Sequence, residues 1–564
     1  MLFLKDSFVE LNARNRVKAI LDQGTFREIV GPFDGLESPH LVPQGIVPQS
    51  DDGVIVARGE IEGEPAVVIS IEGNFQGGGI GEVSGAKIAG ALELALRDQE
   101  NGIRTRPVIV FDTGGVRLQE ANYGLLAIAE IGAAIVALRQ YVPVVGVIPG
   151  KIGCFGGMSI AAGLCSSLIM TREGRIGLNG PEVIEQEAGI EEFDSSDRRL
   201  IWNTIGGAQR FAAGFVDELV DDDISAIKEA IHRIFRKETV GSPRSSQVDV
   251  YRSFFASIDL SQPITPNKFR ELWQQHIAGK GVHSPNSLQT GMNKDDEVES
   301  RGRTWFYALA HALKINKEVP SVLCADAMLG KEEVRYIAVV PNRHHRFYRV
   351  RHGEVGIEEG WTIAKYVREV IEADQHGKKR AIVAIVDVPS QAYGYHEELF
   401  GLHQACAAAV DAYATARLAG HPVIALIVGN AISGAFLAHG LQANCILALN
   451  DDHVNIHVMS KKSAARITRR TIEELEEATK KIPAMAYDVR SFATLGALHE
   501  LIDGVNADIP QVQDIDKVCN RLIEAIQTAR SSPRDLRSRL ASKQAQKGRE
   551  ASILVRKKLA EQWK

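Results

Sequence analysis

Two short segments carry the clearest chemical potential in this chain: Gly153–Cys–Phe–Gly–Gly157 and Ala431–Ile–Ser–Gly–Ala435. Each follows a strand-like run and precedes a helix of small residues. Each therefore exposes backbone N–H groups at a helix start, where the macrodipole also favours negative charge. Glycine lets such a loop approach a bound group closely. A phosphate suits this arrangement, and so does an oxyanion forming on a reacting carbonyl, for which one well-placed donor stabilises the transition state by roughly 2.7–4 kcal/mol. Neither segment has the Gly-Lys-Ser/Thr ending of a P-loop, and Gly77–Gly–Gly–Ile–Gly81 lacks the G-x-G-x-x-G spacing of a dinucleotide site. Tight helix–strand packing accounts for such glycines equally well. Nucleophilic catalysis has little support, since there is no G-x-S-x-G elbow and no cysteine in a recognised Cys/His signature.

The elements that must carry these loops repeat. Residues 107–111, Pro–Val–Ile–Val–Phe, run into Asp112–Thr–Gly–Gly115, and residues 381–386 run into Asp387–Val–Pro–Ser390. In both halves a helical stretch follows, then a second apolar strand, the glycine loop, a small-residue helix and a further strand. Gly150 and Gly429 lie seven residues after Pro143 and Pro422 respectively. Strands alternating with helices imply βαβ units with right-handed crossovers. The expectation is an α/β protein of two duplicated domains, 1–278 and 304–564, joined by a polar linker at 279–303. Met292 lies in that linker, where a separate second polypeptide could have begun.

Length and composition agree with two ordinary globular domains. A chain of 564 residues exceeds what one core supports, and 45% hydrophobic with 24% charged residues is unremarkable. The net charge of −6 offers no general case for nucleic-acid binding. No signal peptide, membrane span, zinc site or disulfide framework is expected; the six cysteines form no C-x-x-C pair. A cytoplasmic, reduced setting follows. Residues 530–564 carry 11 Lys or Arg against 3 Asp or Glu, which reads as a solvated basic helical tail or a docking surface for an acidic partner. Residues 343–352 are basic with interleaved aromatics and read as an exposed hairpin.

Several motifs, in order, resemble the carboxyltransferase branch of the crotonase superfamily. In the first half they are the 77–88 glycine run, Asp112–Thr–Gly–Gly–Val–Arg–Leu–Gln–Glu120, and Gly180–Pro–Glu–Val–Ile–Glu–Gln186. In the second they are Asp387–Val–Pro–Ser–Gln–Ala–Tyr–Gly394, Gly429–Asn–Ala–Ile–Ser–Gly–Ala435 and Ser460–Lys–Lys–Ser–Ala–Ala465. Glu182 stands near where crotonase-fold hydratases use acidic residues, with no second matching carboxylate. There is no N-terminal zinc ribbon and no A-M-K-M biotin-attachment sequence. The second half also lacks the usual Pro-Gly after Asp387 and has Ala435 where the family often has glycine. The combination looks most like the β and γ subunits of biotin-independent malonate decarboxylase joined in one chain.

That resemblance implies two crotonase-like (ββα superhelix) domains in tandem, β-subunit-like then γ-subunit-like, packed face to face around an active site. It implies decarboxylation of a malonyl thioester to an acetyl thioester on an acyl carrier protein, whose prosthetic group derives from dephospho-CoA. A malonate:carrier transferase would be a further partner, with no cofactor bound covalently to this chain and no metal. The oxyanion donors would lie at Gly156 and Gly157 and at Ser433, Gly434 and Ala435, with Gly78, Gly79, Gly114, Gly115, Tyr393 and Gly394 at the substrate. Either one chain supplies both walls of the site or two chains pair as a dimer. Carboxyl transfer to a biotin carrier protein fits the same motifs, and a non-catalytic assembly scaffold is a third reading.

Overall fold

The computed structural model describes residues 6–237, 241–279, 297–311, 314–468, 471–481 and 485–564. Contacts divide the chain into two compact units. The first is Met1–Arg244, Thr265–Gln274 and Arg549–Lys564; the second is Ser245–Ile264 and Gln275–Gly548. These units differ from a single cut at the linker. Ser245–Ile264 groups with the second unit, and Arg549–Lys564, expected as a tail of the second domain, groups with the first. The linker also ends earlier than expected, because the helix Arg301–Ala310 is already capped by the Ser300 side chain. Residues 280–296 of the linker lie outside the described residues.

Each unit is mixed α/β and built on a seven-stranded sheet. In the first unit the order is β1 (Arg27–Ile29), β2 (Val54–Ile61), β3 (Glu64–Ile71), β4 (Arg106–Val110), β5 (Val145–Ile148), β6 (Ser167–Thr171) and β7 (Glu218–Val220). The first three strands are antiparallel and the rest parallel. In the second unit β8 (Val322–Leu329) pairs antiparallel with β9 (Glu332–Val339). The parallel strands β10 (Ala381–Val388), β11 (Val423–Ile432), β12 (Cys445–Leu449) and β14 (Glu500–Ile502) follow, with β13 (Asn455–His457) on the end of β11. The inner parallel strands are near-continuous runs of Val, Ile, Leu and Ala because both faces are buried.

The two units solve the same local problems in the same way. Both hairpins pair eight residues with eight, Val54↔Ile71 to Ile61↔Glu64 and Val322↔Val339 to Leu329↔Glu332. The long helix after each hairpin starts on a glycine with nearly the same backbone: Gly81 at φ −112°, ψ −155° before α2 (Glu82–Glu100), and Gly356 at φ −112°, ψ −159° before the helix Ile357–Ala373. In each case the glycine N–H donates to a side chain three residues on, Ser84 Oγ at 2.9 Å and Glu359 Oε2 at 3.0 Å. A glycine one turn later lets the next helix come close. A Cβ on Gly85 would lie 2.3 Å from Ala127 Cβ, and one on Gly360 2.7 Å from the Ala405 backbone. Ala127 belongs to α3 (Ala121–Leu138), which is long and apolar enough to cross a bilayer yet is almost wholly buried inside the unit.

A carboxylate at the end of the second strand of each parallel set, β4 and β10, fixes the loop beyond the next strand. Asp112 is fully buried; its Oδ1 accepts the N–H groups of Ile152 (2.6 Å) and Gly153 (3.3 Å), and its Oδ2 accepts from Arg16 Nη1 (2.8 Å). Arg16 lies in α1 (Ala13–Ile20) and is itself buried. Asp387 Oδ1 accepts the N–H of Asn430 (3.1 Å), while its Oδ2 accepts the N–H of Gly302 (3.1 Å), so the positive start of the Arg301–Ala310 helix stands where the first unit uses an arginine. A Cβ on Gly429 would lie 2.2 Å from Asp387 Oδ1, so only glycine fits there.

Asp112→Ala is expected to destabilise the first unit by about 3–5 kcal/mol, since it leaves the Arg16 charge buried without its partner. Asp387→Ala, which strands only backbone donors beside a half-buried site, is expected to cost about 1–3 kcal/mol. Urea unfolding of both variants checks the order; equal losses would contradict it.

Candidate active site

In the first unit three loops emerge at the C-terminal ends of parallel strands, where open α/β sheets bind ligands. They follow β3, β4 and β5 and touch backbone to backbone. A Cβ on Gly78 (φ 67°) would lie 2.1 Å from Asp112 O, and one on Gly115 (φ 105°) 3.0 Å from Gly156 Cα. The loops are stitched by Gly114 N–H to Gly77 O (2.8 Å), Ile80 N–H to Gly115 O (2.8 Å) and Phe155 N–H to Thr113 O (3.0 Å). Thr113 Oγ1 donates to Gly78 O (2.6 Å) and accepts from Gly115 N–H (3.0 Å). The structure thus brings together Gly78, Gly79, Gly114, Gly115, Gly156 and Gly157, all expected at the site.

Their donors are used differently from the expectation. The N–H groups of Gly78, Gly79, Gly114 and Gly115 are engaged within the loops. The Gly156 N–H donates to Leu178 O at 3.0 Å, so it points into the protein and not at a ligand. Gly156 (φ 57°, ψ −150°) turns the chain into α4 (Gly157–Leu164), and among the described residues nothing accepts from the N–H groups of Gly157 or Met158. These two adjacent donors stand at a helix start, one residue further along than the expected pair Gly156 and Gly157.

A buried ionic cluster holds the rim. Arg117 Nη1 donates to Asp52 (2.7 Å) and Glu120 (2.6 Å), and its Nη2 to Gly79 O (3.0 Å). Burial raises the Asp52 carboxyl above its ordinary value against the pull of Arg117. Lys87 donates to the carbonyls of Asp51 and Val54, and desolvation lowers it to about 8. Burial pushes the Cys154 thiol well up, so it is no thiolate nucleophile. Glu182 is exposed in the first turn of the helix Pro181–Ala188.

In the second unit Ser433 takes the positive φ (59°) ahead of the small-residue helix Ser433–Ala438. A side chain there is strained, a feature found at functional sites. The Gly434 N–H donates to Gln391 Oε1 at 3.1 Å, so this expected donor is engaged by a carboxamide oxygen. The Ala435 N–H has no acceptor among the described residues. Tyr393 is half-buried, and Gly394 caps the short helix Tyr395–Leu399 in an extended conformation open to any residue. β13 sets His457 opposite Ile432, with its ring stacked on Tyr487 at 3.7 Å and burial lowering it to about 3. Residues 343–352 form a loop and a 3-10 turn, Tyr348–Val350, where a hairpin was expected. Within it His345 Nε2 lies 3.2 Å from Glu358 and 3.0 Å from Glu359, at the start of the helix Ile357–Ala373. Sequence reasoning missed Gln391 and the His345 cluster. Arg117 and Glu120 stood three apart in a quoted motif, but their partner Asp52 is distant in sequence.

Residues 10–251 match the carboxyl transferase domain, and residues 350–563 match the malonate decarboxylase gamma subunit. The chain is 40% identical over 295 residues to the malonyl-S-ACP:biotin-protein carboxyltransferase MADC of Malonomonas rubra, covering 50% of this chain and 92% of that one. It is 41% identical over 196 residues to MADD of the same organism, covering 34% of this chain and 67% of that one. A solved Pseudomonas malonate decarboxylase hetero-tetramer in complex with malonate is 56% identical over 48% of this chain and 98% of its own, with a TM-score of 0.47.

The His345 cluster sets a pH dependence. The neighbouring carboxylates overcome desolvation and raise His345 from 6.5 to about 10, while Glu358, despite its burial, falls from 4.5 to about 2 beside His345 and Arg346. The histidine contribution is complete below pH 6.5 and is lost as pH rises toward 10; the glutamate contribution is complete above pH 4.5 and is lost as pH falls toward 2. The second unit is therefore expected to lose stability between pH 6.5 and 10, a slope that His345→Gln flattens. Urea midpoints across that range read it, and an unchanged slope in the variant would contradict it.

Proposed function

The chain belongs to the malonate decarboxylase family of carboxyltransferase subunits, and from that premise we propose that it removes CO2 from a malonyl group held as a thioester on an acyl carrier protein. The observation that carries this reading is the pair of unclaimed donors, Gly157 and Met158 N–H, at the start of α4. The thioester carbonyl oxygen rests on these donors. The bond between the α-carbon and the carboxylate breaks, its electron pair passes into the thioester as an enolate, and CO2 leaves. The enolate oxygen is stabilised by dipoles that are already aimed, and a proton then adds at the α-carbon to give the acetyl thioester.

In this reading Gly78, Gly79, Gly114, Gly115 and Gly156 shape the site, while Gly157 donates to the reacting group. Ser433, Gly434 and Ala435 form the corresponding loop of the second unit, where the Gln391 carboxamide holds the Gly434 N–H. The carrier's prosthetic group would derive from dephospho-CoA, and a malonate:carrier transferase would load it. The reaction is placed in the cytoplasm.

A second reading has a specific observation behind it. The two Malonomonas relatives are named as malonyl-S-ACP:biotin-protein carboxyltransferases, so the carboxyl group could pass to a biotin protein. Incubation of the protein with malonyl carrier and excess avidin separates the two. Release of CO2 that avidin leaves untouched supports direct decarboxylation. Loss of the malonyl carboxyl group that occurs only without avidin and with an added biotinylated carrier, and that leaves N-carboxybiotin on that carrier, supports transfer; no loss under either condition overturns both. Gly157→Val, which crowds the donors, is expected to lower kcat by about 10²–10³-fold with the fold retained. Undiminished turnover in that variant would favour a scaffold over a catalyst.

A further inference from the structure

The last sixteen residues of the chain, Arg549–Lys564, complete the first unit, although the strands of that unit end at Val220. They were expected to be solvated or to dock on an acidic partner; their two central arginines are instead enclosed. Arg549 forms a bidentate pair with Glu130 of α3 (2.6 and 3.1 Å), with both side chains buried. Arg556 bridges Glu93 of α2 (3.0 Å) and Glu130 (2.8 Å). Leu559 lies over Gly90, where a Cβ would approach it to 2.9 Å. Trp563 Nε1 donates to Asp98 at 3.0 Å. The acidic face of α2 and α3 and the basic C-terminal helix Glu550–Gln562 are thus complementary in charge and in shape.

One contact leads from this helix to the site. Ser552 donates both its N–H (2.9 Å) and its hydroxyl (3.1 Å) to Glu82 Oε1, so a buried carboxylate sits at the positive start of the C-terminal helix. Glu82 is also the first residue of α2, directly after the 77–81 glycine turn, and its Oε2 lies 2.6 Å from His40 Nε2. The Glu82 N–H donates to Glu120 Oε1 (3.0 Å), the other oxygen of Glu120 accepts from Arg117 (2.6 Å), and Arg117 donates to Gly79 O (3.0 Å). An unbroken chain of buried hydrogen bonds therefore runs from Ser552 to the glycine turn that packs against Gly114.

We propose that the C-terminal helix is a docked positioning element. It holds Glu82, and through Glu120 and Arg117 it holds the 77–81 turn that fixes the 113–115 loop beside Gly156 and the Gly157 and Met158 donors. Ser552 and Glu82 are positioning residues. The first half of the sequence is then an incomplete site without the end of the second half. The link to turnover rests on the decarboxylation reading; the docking itself does not.

The test uses a chain ending at Gly548 and a synthetic peptide of residues 549–564. In the shortened chain, amide exchange over residues 77–85 and 113–120 is expected to accelerate with the circular dichroism retained. Turnover of malonyl carrier is expected to fall about a hundredfold in kcat with little change in KM, the cost of a roughly 1 Å misplacement. Saturating peptide is expected to restore both. Glu82→Gln and Ser552→Ala in the full chain guard against collapse of the shortened one. Exchange should rise at 77–81 while residues 550–562, still held by Arg549 and Arg556, stay protected. Peptide that binds without restoring loop protection, or unchanged loop exchange in both full-chain variants, overturns the proposal. Absence of turnover in the intact chain strikes the decarboxylation reading alone, because the exchange readout still decides this one.

Discussion

The arrangement of the candidate site depends on one buried carboxylate, Asp112, at the end of β4. A loop leaving a parallel strand brings backbone N–H groups that must be satisfied if they are buried. Asp112 takes the N–H groups of Ile152 and Gly153 and balances its charge on Arg16. With those donors satisfied, the chain reaches Gly156 already oriented and turns there into α4. The Gly156 N–H goes inward to Leu178, and the next two N–H groups have no acceptor among the described residues. An anion site at a helix start needs no special side chain, but it does need a loop whose other donors are committed elsewhere.

The second unit meets the same constraint with different parts. Asp387 takes Asn430 in place of Ile152, and the Gly302 N–H at a helix start in place of the Arg16 guanidinium. A positive-φ residue again precedes the small-residue helix, but it is Ser433, and the first donor beyond it is held by Gln391. In the first unit the N–H groups at the helix start have no acceptor among the described residues, whereas in the second the Gly434 N–H is held by a neutral oxygen.

Much of this was legible in the sequence, and the reasons are local. The apolar runs ending in Asp112 and Asp387, and the equal spans Pro143 to Gly150 and Pro422 to Gly429, reveal repeated strand–loop–helix units because periodicity and glycine placement are short-range properties. The direction of a single N–H is not short-range. That Gly156 donates to Leu178, or that Gln391 reaches Gly434, depends on backbone turns and residues far apart in the chain. The basic tail shows why charge counting fails in the same way. Eleven cations against three anions look like a solvated helix until Glu82, Glu93, Asp98 and Glu130 are seen gathered on one face about 420–470 residues earlier in the chain.

Where the thioester oxygen rests decides whether the Gly157 and Met158 donors carry the reaction. A crystal structure of the protein with an unreactive malonyl thioester analogue measures this directly. The acyl oxygen is expected about 3 Å from both the Gly157 and Met158 nitrogens, the distance of an oxyanion-hole donor. An analogue whose acyl oxygen is held by other groups, with those two N–H groups left to water, would contradict it.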